Sequence, residues 1–265
     1  MQDSQVILID VGNTSTHVAL ERAGRFLLTK RFPSFPGRDQ TVQMIRRLLK
    51  FYARHLKIEG AILCSVVPAL TRAWMAELKG SVSGKILQVN HKLNLGVKID
   101  YPKPATIGAD RLANAAAAAA KYGVPVIVAD FGTAVTFDIV SSAGTYVGGI
   151  IAPGPMLFAE YLAEKTALLP HLSLPIIRKA MLTQGKRPVI GKNTAQAMLI
   201  GLRLGYLGMV EEIVSRLKQE KGLKNARLCA TGGYAELVLA KSDLGITVDP
   251  LLTLRGISRI YWLNR

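Results

Sequence analysis

Residues 6–16 read VILIDVGNTST, and residues 126–136 read VIVADFGTAVT. Each is a short apolar run ending in an aspartate, then x-Gly, then a polar turn. The pattern predicts a buried strand, a tight turn and a returning strand, the return covering Thr16 to Leu20 in the first copy. A shift of 120 residues maps Asp10 on Asp130, Gly12 on Gly132 and Thr16 on Thr136. Two such units point to a duplicated domain, against the simpler reading of two chance turns.

Between and after the copies, strands alternate with helices. Helices are expected at 39–57, 70–79, about 110–122, 156–167 and 193–221. Strands are expected at 60–67, 85–89, 126–130, 134–140, 145–151 and 227–230. This alternation in both halves indicates an α/β protein. The alanine run 115–120 is the best helix former available, and its small side chains let a second layer approach closely. It is read as a packed helix between the halves. Gly201, Gly205 and Gly208 lower helix propensity, so a close neighbour is expected there, from this chain or from a second subunit.

Composition excludes several classes. Hydrophobic residues make up 49% of 265, which rules out a wholly disordered chain. No apolar stretch reaches the roughly 18 residues of a membrane helix. The start MQDSQVILIDVG has no basic segment before its apolar run, so no signal peptide is expected. Cys64 and Cys229 are far apart, which fits a reducing cytoplasm better than a disulfide scaffold.

The net charge of +16 raises an acidic partner. The basic residues are spread out, however. The densest stretch, Arg46 to Lys57, carries Met44, Leu48, Tyr52 and Leu56 at helical spacing and reads as a solvated amphipathic face. No nucleic-acid motif accompanies it, so neither a specific nucleic acid nor a membrane is expected as partner.

The turn from Asp10 to Thr16 offers what a phosphate needs. Gly12 lets the backbone approach, successive N–H groups can form an anion nest, and Thr14 and Thr16 carry hydroxyls. Asp10 can hold Mg²⁺. Asp130-Phe131-Gly132-Thr133 presents a second such turn, and the pair suggests a nucleotide site without a P-loop or a dinucleotide fingerprint. Asp110, beside Arg111, is either a helix N-cap or a general base, and the residues alone do not choose.

The whole set resembles type III pantothenate kinase, the family that also includes Bvg accessory factor proteins. The likeness covers IDVGNTST at 9–16, CSVVPAL at 64–70 and IGADRLANAAAA at 107–118. It continues through VADFGTAVTFDIV at 128–140, YVGGIIAPG at 146–154 and TALLP at 166–170. IGKNTAQAM at 190–198, ATGGYAE at 230–236 and LTLRGI at 252–257 complete it. Ser15 and Val135 depart mildly from the family pattern, and residues 25–43 fit it poorly.

The resemblance implies duplicated ribonuclease-H-like domains of the actin-like ATPase and sugar kinase type, here 1–118 and 119–265. It implies transfer of the ATP γ-phosphoryl group to pantothenate, the entry step to coenzyme A. ATP would be bound by Asp10, Val11, Gly12, Asn13, Thr14, Ser15, Thr16, His17 and Thr133. Asp10 would carry Mg²⁺ and Asp130 a monovalent cation, K⁺ or NH₄⁺. Pantothenate would meet Tyr101, Gly108, Ala109, Asp110 and Arg111, with Asp110 as general base. Thr194 would complete that site across a homodimer interface, and Thr231-Gly232-Gly233 would pass near the nucleoside. The alternatives are a regulatory protein that keeps the fold without catalysis, or another small-molecule kinase of the superfamily.

Overall fold

The structure, a computed structural model, describes residues 5–34, 38–55, 58–182, 189–240 and 242–265. The chain divides into two compact units. The first holds residues 1–122, 144–147 and 251–265, and the second holds 123–143 and 148–250.

In the first unit, β1 (Gln5–Val11), β2 (Ser15–Arg22), β3 (Arg25–Pro33), β4 (Ile58–Ser65) and β5 (Lys85–Gln88) form one sheet in the order β3-β2-β1-β4-β5. β1 pairs antiparallel with β2 and parallel with β4. As the central strand it is apolar along both faces, which is why its sequence runs Val-Ile-Leu-Ile without alternation. Ile7, Ile9, Val11, Val18 and Leu20 share a core with residues of α1 (Arg38–His55) and α2 (Pro68–Lys79), among them Ile45, Leu49 and Trp74. The buried stripe of α1 therefore runs through Ile45 and Leu49, with Met44 and Leu48 only partly buried beside it. Tyr52 and Leu56 of the expected stripe, and Arg54 and Lys57 of the basic stretch, lie outside the described side chains.

α3 (Ala109–Tyr122) is the alanine-rich helix, and its close neighbour is α8 (Leu252–Asn264) of the same unit. A Cβ on Gly256 would run into the carbonyl oxygen of Ala113, so the two backbones nearly touch. α8 also packs on β1 and β4. β6 (Lys98–Ile99) pairs in parallel with Thr145 and Tyr146, residues grouped with this unit.

The second unit repeats the plan. β7 (Val126–Phe131) pairs antiparallel with β8 (Ala134–Val140) and parallel with β10 (Arg227–Thr231). β9 (Thr145–Pro153) follows β8 in the sheet, and β11 (Thr247–Val248) lies outside β10. Phe131, Phe137 and Ile139 face a core completed by α4 (Pro155–Glu164), α5 (Leu174–Leu182), α6 (Thr194–Gln219) and α7 (Ala235–Leu239), through Ala159, Ile177, Tyr206 and Val238.

The two hairpins differ in one respect. His17 stands opposite Asp10, whereas Thr136 stands opposite Asp130. The first turn closes with Gly12 N–H to Ser15 O, and the second with Gly132 N–H to Ala134 O, each at 3.0 Å. The first turn is thus one residue longer. Thr136 is the counterpart of His17, and Val135 the counterpart of Thr16; an ungapped shift of 120 misses this.

Candidate active site

Asp10 is the next-to-last residue of β1, at the carboxyl end where ligands meet open α/β sheets. The chain then turns through Gly12, Asn13 and Thr14, with Asn13 and Thr14 exposed. Val11 is buried in the core, so only its backbone is available to a ligand. Thr16 is buried, and its hydroxyl lies 2.9 Å from Ser34 Oγ. That contact makes Thr16 a part of the turn's internal hydrogen bonding. Burial lowers the His17 pKa, and the neighbouring Arg31 charge lowers it further.

Ser34 was not a sequence candidate, yet it ties the turn together. Its N–H donates to Thr14 O at 2.9 Å, and its hydroxyl donates to Gly12 O at 2.7 Å. Arg31 Nε donates to Ser15 Oγ at 3.0 Å. Both residues come from the end of β3, an edge strand with almost no buried side chain and no apolar alternation to reveal it. The usable signal was the turn before it: Ala23 and Gly24 have φ of 50° and 78°, the left-handed pair of a two-residue hairpin.

β4 meets the same turn, since Val66 N–H donates to Val11 O. Beside it opens a cavity of about 350 Å³, whose lining includes Ser65, Asn90, His91, Gly108 and Ala109. Asp110 follows Ala109, one residue inside α3 rather than at its cap. Its Oδ1 accepts the Arg111 N–H at 2.8 Å. Burial raises the Asp110 pKa, opposed by the hydrogen bonds and charge of the helix start and Arg111. A cavity wall, a carboxyl held above its ordinary pKa and a cation thus meet at one helix start. The Arg111 guanidinium lies 6.0 Å from the Tyr146 ring centre, and Tyr101 meets Tyr146 edge-on at 6.3 Å. Tyr101 and the 108–111 stretch therefore belong to one cluster.

In the second unit, the turn after β7, with Asp130, Gly132 and Thr133, lies against the turn at 231–233. Thr231 stands beside Asp130 in the β7–β10 pairing. Gly132 and Thr133 carbonyl oxygens lie against Gly154, and Phe131 O lies against Gly232. A carboxylate among backbone carbonyls is the oxygen donor set a monovalent cation takes. Among the described residues no three His, Cys, Asp or Glu side chains gather as a metal group. Thr194 is exposed at the first position of α6. It does not cap that helix; Asn193 does, accepting from Gln196 N–H at 2.9 Å.

A family model for type III pantothenate kinase matches residues 6–216. The chain belongs to the type III pantothenate kinase family. A type III pantothenate kinase of Dehalococcoides mccartyi is 39% identical over 264 residues, 98% of each chain. One from Akkermansia muciniphila is 40% identical, covering 97% of this chain and 98% of its own. Solved structures agree on the fold. Component A of the (R)-2-hydroxyglutaryl-CoA dehydratase of Acidaminococcus fermentans superposes with a TM-score of 0.57 at 14% identity, over 97% of both chains. MreB5 of Spiroplasma citri, bound to ADP, gives 0.54 at 11% identity, over 97% of this chain and 96% of its own. The fold of this pantothenate kinase family member is that of the actin-like ATPases and sugar kinases. Among the described residues, no helix is long and apolar enough to cross a membrane.

Proposed function

We propose that the chain transfers the γ-phosphoryl group of ATP to the primary hydroxyl of pantothenate, giving 4′-phosphopantothenate for coenzyme A synthesis. The observation that carries this reading is Asp110. It sits at the start of α3 beside Arg111 and a cavity, with its pKa raised by burial. A carboxylate so placed is a better proton acceptor than an exposed one.

Phosphoryl transfer rests on positioning and charge neutralisation more than on covalent help. The Asp10–His17 turn holds the phosphates through its N–H groups, with Thr133 and Thr231-Gly232-Gly233 serving the same nucleotide. Asp110 takes the hydroxyl proton as transfer proceeds, and Arg111 pairs with the anionic acceptor or its product. Tyr101 closes the acceptor site. Asp10 holds Mg²⁺, and Asp130 with the carbonyls of its turn holds K⁺ or NH₄⁺; these ions supply positive charge to the phosphates when bound.

The rest of the reading follows the same family logic. Residues 1–118 and 119–265 are the two ribonuclease-H-like domains, α8 returning onto the first. The enzyme is a cytoplasmic homodimer in which Thr194 reaches the neighbour's acceptor, and it has no specific nucleic-acid partner. The deciding assay is ATP consumption with and without pantothenate, in K⁺ and in Na⁺ buffer. Pantothenate-dependent turnover that is greater in K⁺ supports the assignment. ATP use indifferent to pantothenate refutes it.

A further inference from the structure

The end of β3 grips the phosphate turn more closely than any other neighbour described above. Ser34 occupies two of the turn's carbonyls, those of Gly12 and Thr14. In a trans peptide the N–H of the next residue points opposite to the carbonyl. The N–H groups of Asn13 and Ser15 are therefore turned away from Ser34. Two N–H groups aligned in this way are the donors of an anion nest.

Arg31 stands three residues before Ser34. It is directly opposite His17 across the β2–β3 pairing, and His17 is directly opposite Asp10 across β1–β2. The three side chains form a row on one face of the sheet, spanning two strand spacings, or about 10 Å. Arg31 is exposed, and among the described residues its contact is the Nε bond to Ser15 Oγ, with no ion pair. That bond fixes the guanidinium along the turn and uses one of its five donors. The charge arithmetic gives it a role. Of the other ionisable groups in the row, Asp10 is a carboxyl group, and the pKa of His17 is lowered by burial and by Arg31. Arg31 is the cation of the row, and a planar guanidinium matches a pair of phosphate oxygens.

We propose that Arg31 is a phosphate-binding residue of this site, its Nη groups gripping ATP phosphate oxygens, and that Ser34 positions the turn's N–H donors. The proposal rests on the reading of the Asp10–His17 turn as the ATP phosphate site. No residue between 25 and 43 was a site candidate from sequence.

The test is calorimetric binding of a non-hydrolysable Mg·ATP analogue, and of adenosine, to the full chain and to the Arg31→Gln, Arg31→Lys and Ser34→Ala variants. Arg31→Gln keeps a neutral donor for Ser15 and removes the charge. Loss of one charge-assisted contact should weaken the analogue by about tenfold or more and leave adenosine within about twofold. Arg31→Lys should fall between, because it keeps the charge and loses the fork; it also serves if the glutamine variant does not fold. Ser34→Ala should weaken the analogue with the same indifference to adenosine. Unchanged analogue binding in Arg31→Gln overturns the proposal even where pantothenate-dependent turnover stands. An equal loss of analogue and adenosine overturns it too, since that marks a structural role. The selective loss upholds it even if pantothenate proves not to be the acceptor. A wild-type chain that does not bind the analogue overturns both readings.

Discussion

A Cβ placed on Gly232 would stand 2.5 Å from Asp130 Oδ1 and 2.5 Å from Phe131 O. The turn after β10 therefore lies directly on the turn after β7, and only a glycine permits it. Its φ of +94° adds a second requirement for glycine.

The first prediction is that Gly232→Ala disables the second turn selectively. The backbone strain alone is on the order of 1–3 kcal/mol, and the collision with Asp130 and Phe131 adds to it. KM for ATP should rise about tenfold or more and the response to K⁺ should fall, while KM for pantothenate moves little. Steady-state kinetics in K⁺ and Na⁺ check this. An equal rise in both KM values would mean general damage instead.

Asp110→Asn separates catalysis from stability. Removing a general base costs about 10²–10⁴ in rate. The stability effect has the opposite sign. The native Asp110 pKa is raised, so between the unfolded and native values the folded protein binds more protons than the unfolded chain. Stability is then lost as pH rises through that window. The asparagine variant carries no such cost. Its thermal midpoint should equal or exceed that of the parent at pH 7, and the difference should shrink toward pH 3. The parent's rate should in turn fall on acidification at a pH above the ordinary aspartate value. A variant with near-parental turnover would remove Asp110 as base.

Much of this was legible because the informative positions lie in the core. The apolar runs at 6–9 and 126–129, each ended by an aspartate and a glycine, set the two hairpins, and their repetition set the architecture. What escaped has physical causes. β3 is an exposed edge strand, so its sequence carries no burial pattern, and with it went Arg31 and Ser34. α8 begins at Leu252 without a side-chain cap and contains Gly256, the opposite of a helix-start signature. The extra residue in the first turn is a difference of loop length, invisible to an ungapped comparison.

Gly256 also yields a prediction. In an isolated helix, glycine to alanine gains about 1 kcal/mol. Here the added carbon meets the Ala113 backbone, which cannot rotate aside as a side chain would. Overpacking costs about 1–3 kcal/mol, so the net sign should be destabilising. Thermal or urea denaturation of Gly256→Ala should show a lower midpoint. A higher midpoint would mean that α3 and α8 separate easily.

The last prediction concerns assembly. Gly201, Gly205 and Gly208 each have nothing within 4 Å of an added Cβ beyond their own helix backbone and chain neighbours. Leu204, between two of them, is 49% exposed. A glycine stripe lowers helix propensity, and within this chain no described neighbour comes close enough to compensate. A second copy of α6 would. Twofold contacts of an element with its own copy are the commonest form of homo-oligomer. Sedimentation at assay concentration should therefore give about twice 28.7 kDa. Gly205→Arg, which places its side chain in open space, should leave a folded monomer. Thr194 is exposed and spared from capping by Asn193, so it is available to a neighbouring site. Mixing Asp110→Asn chains with Thr194→Ala chains should then restore part of the activity, since each hybrid dimer keeps one intact composite site. A fully active monomer, or no recovery after proven subunit exchange, would reject the shared site and leave the kinase assignment in place.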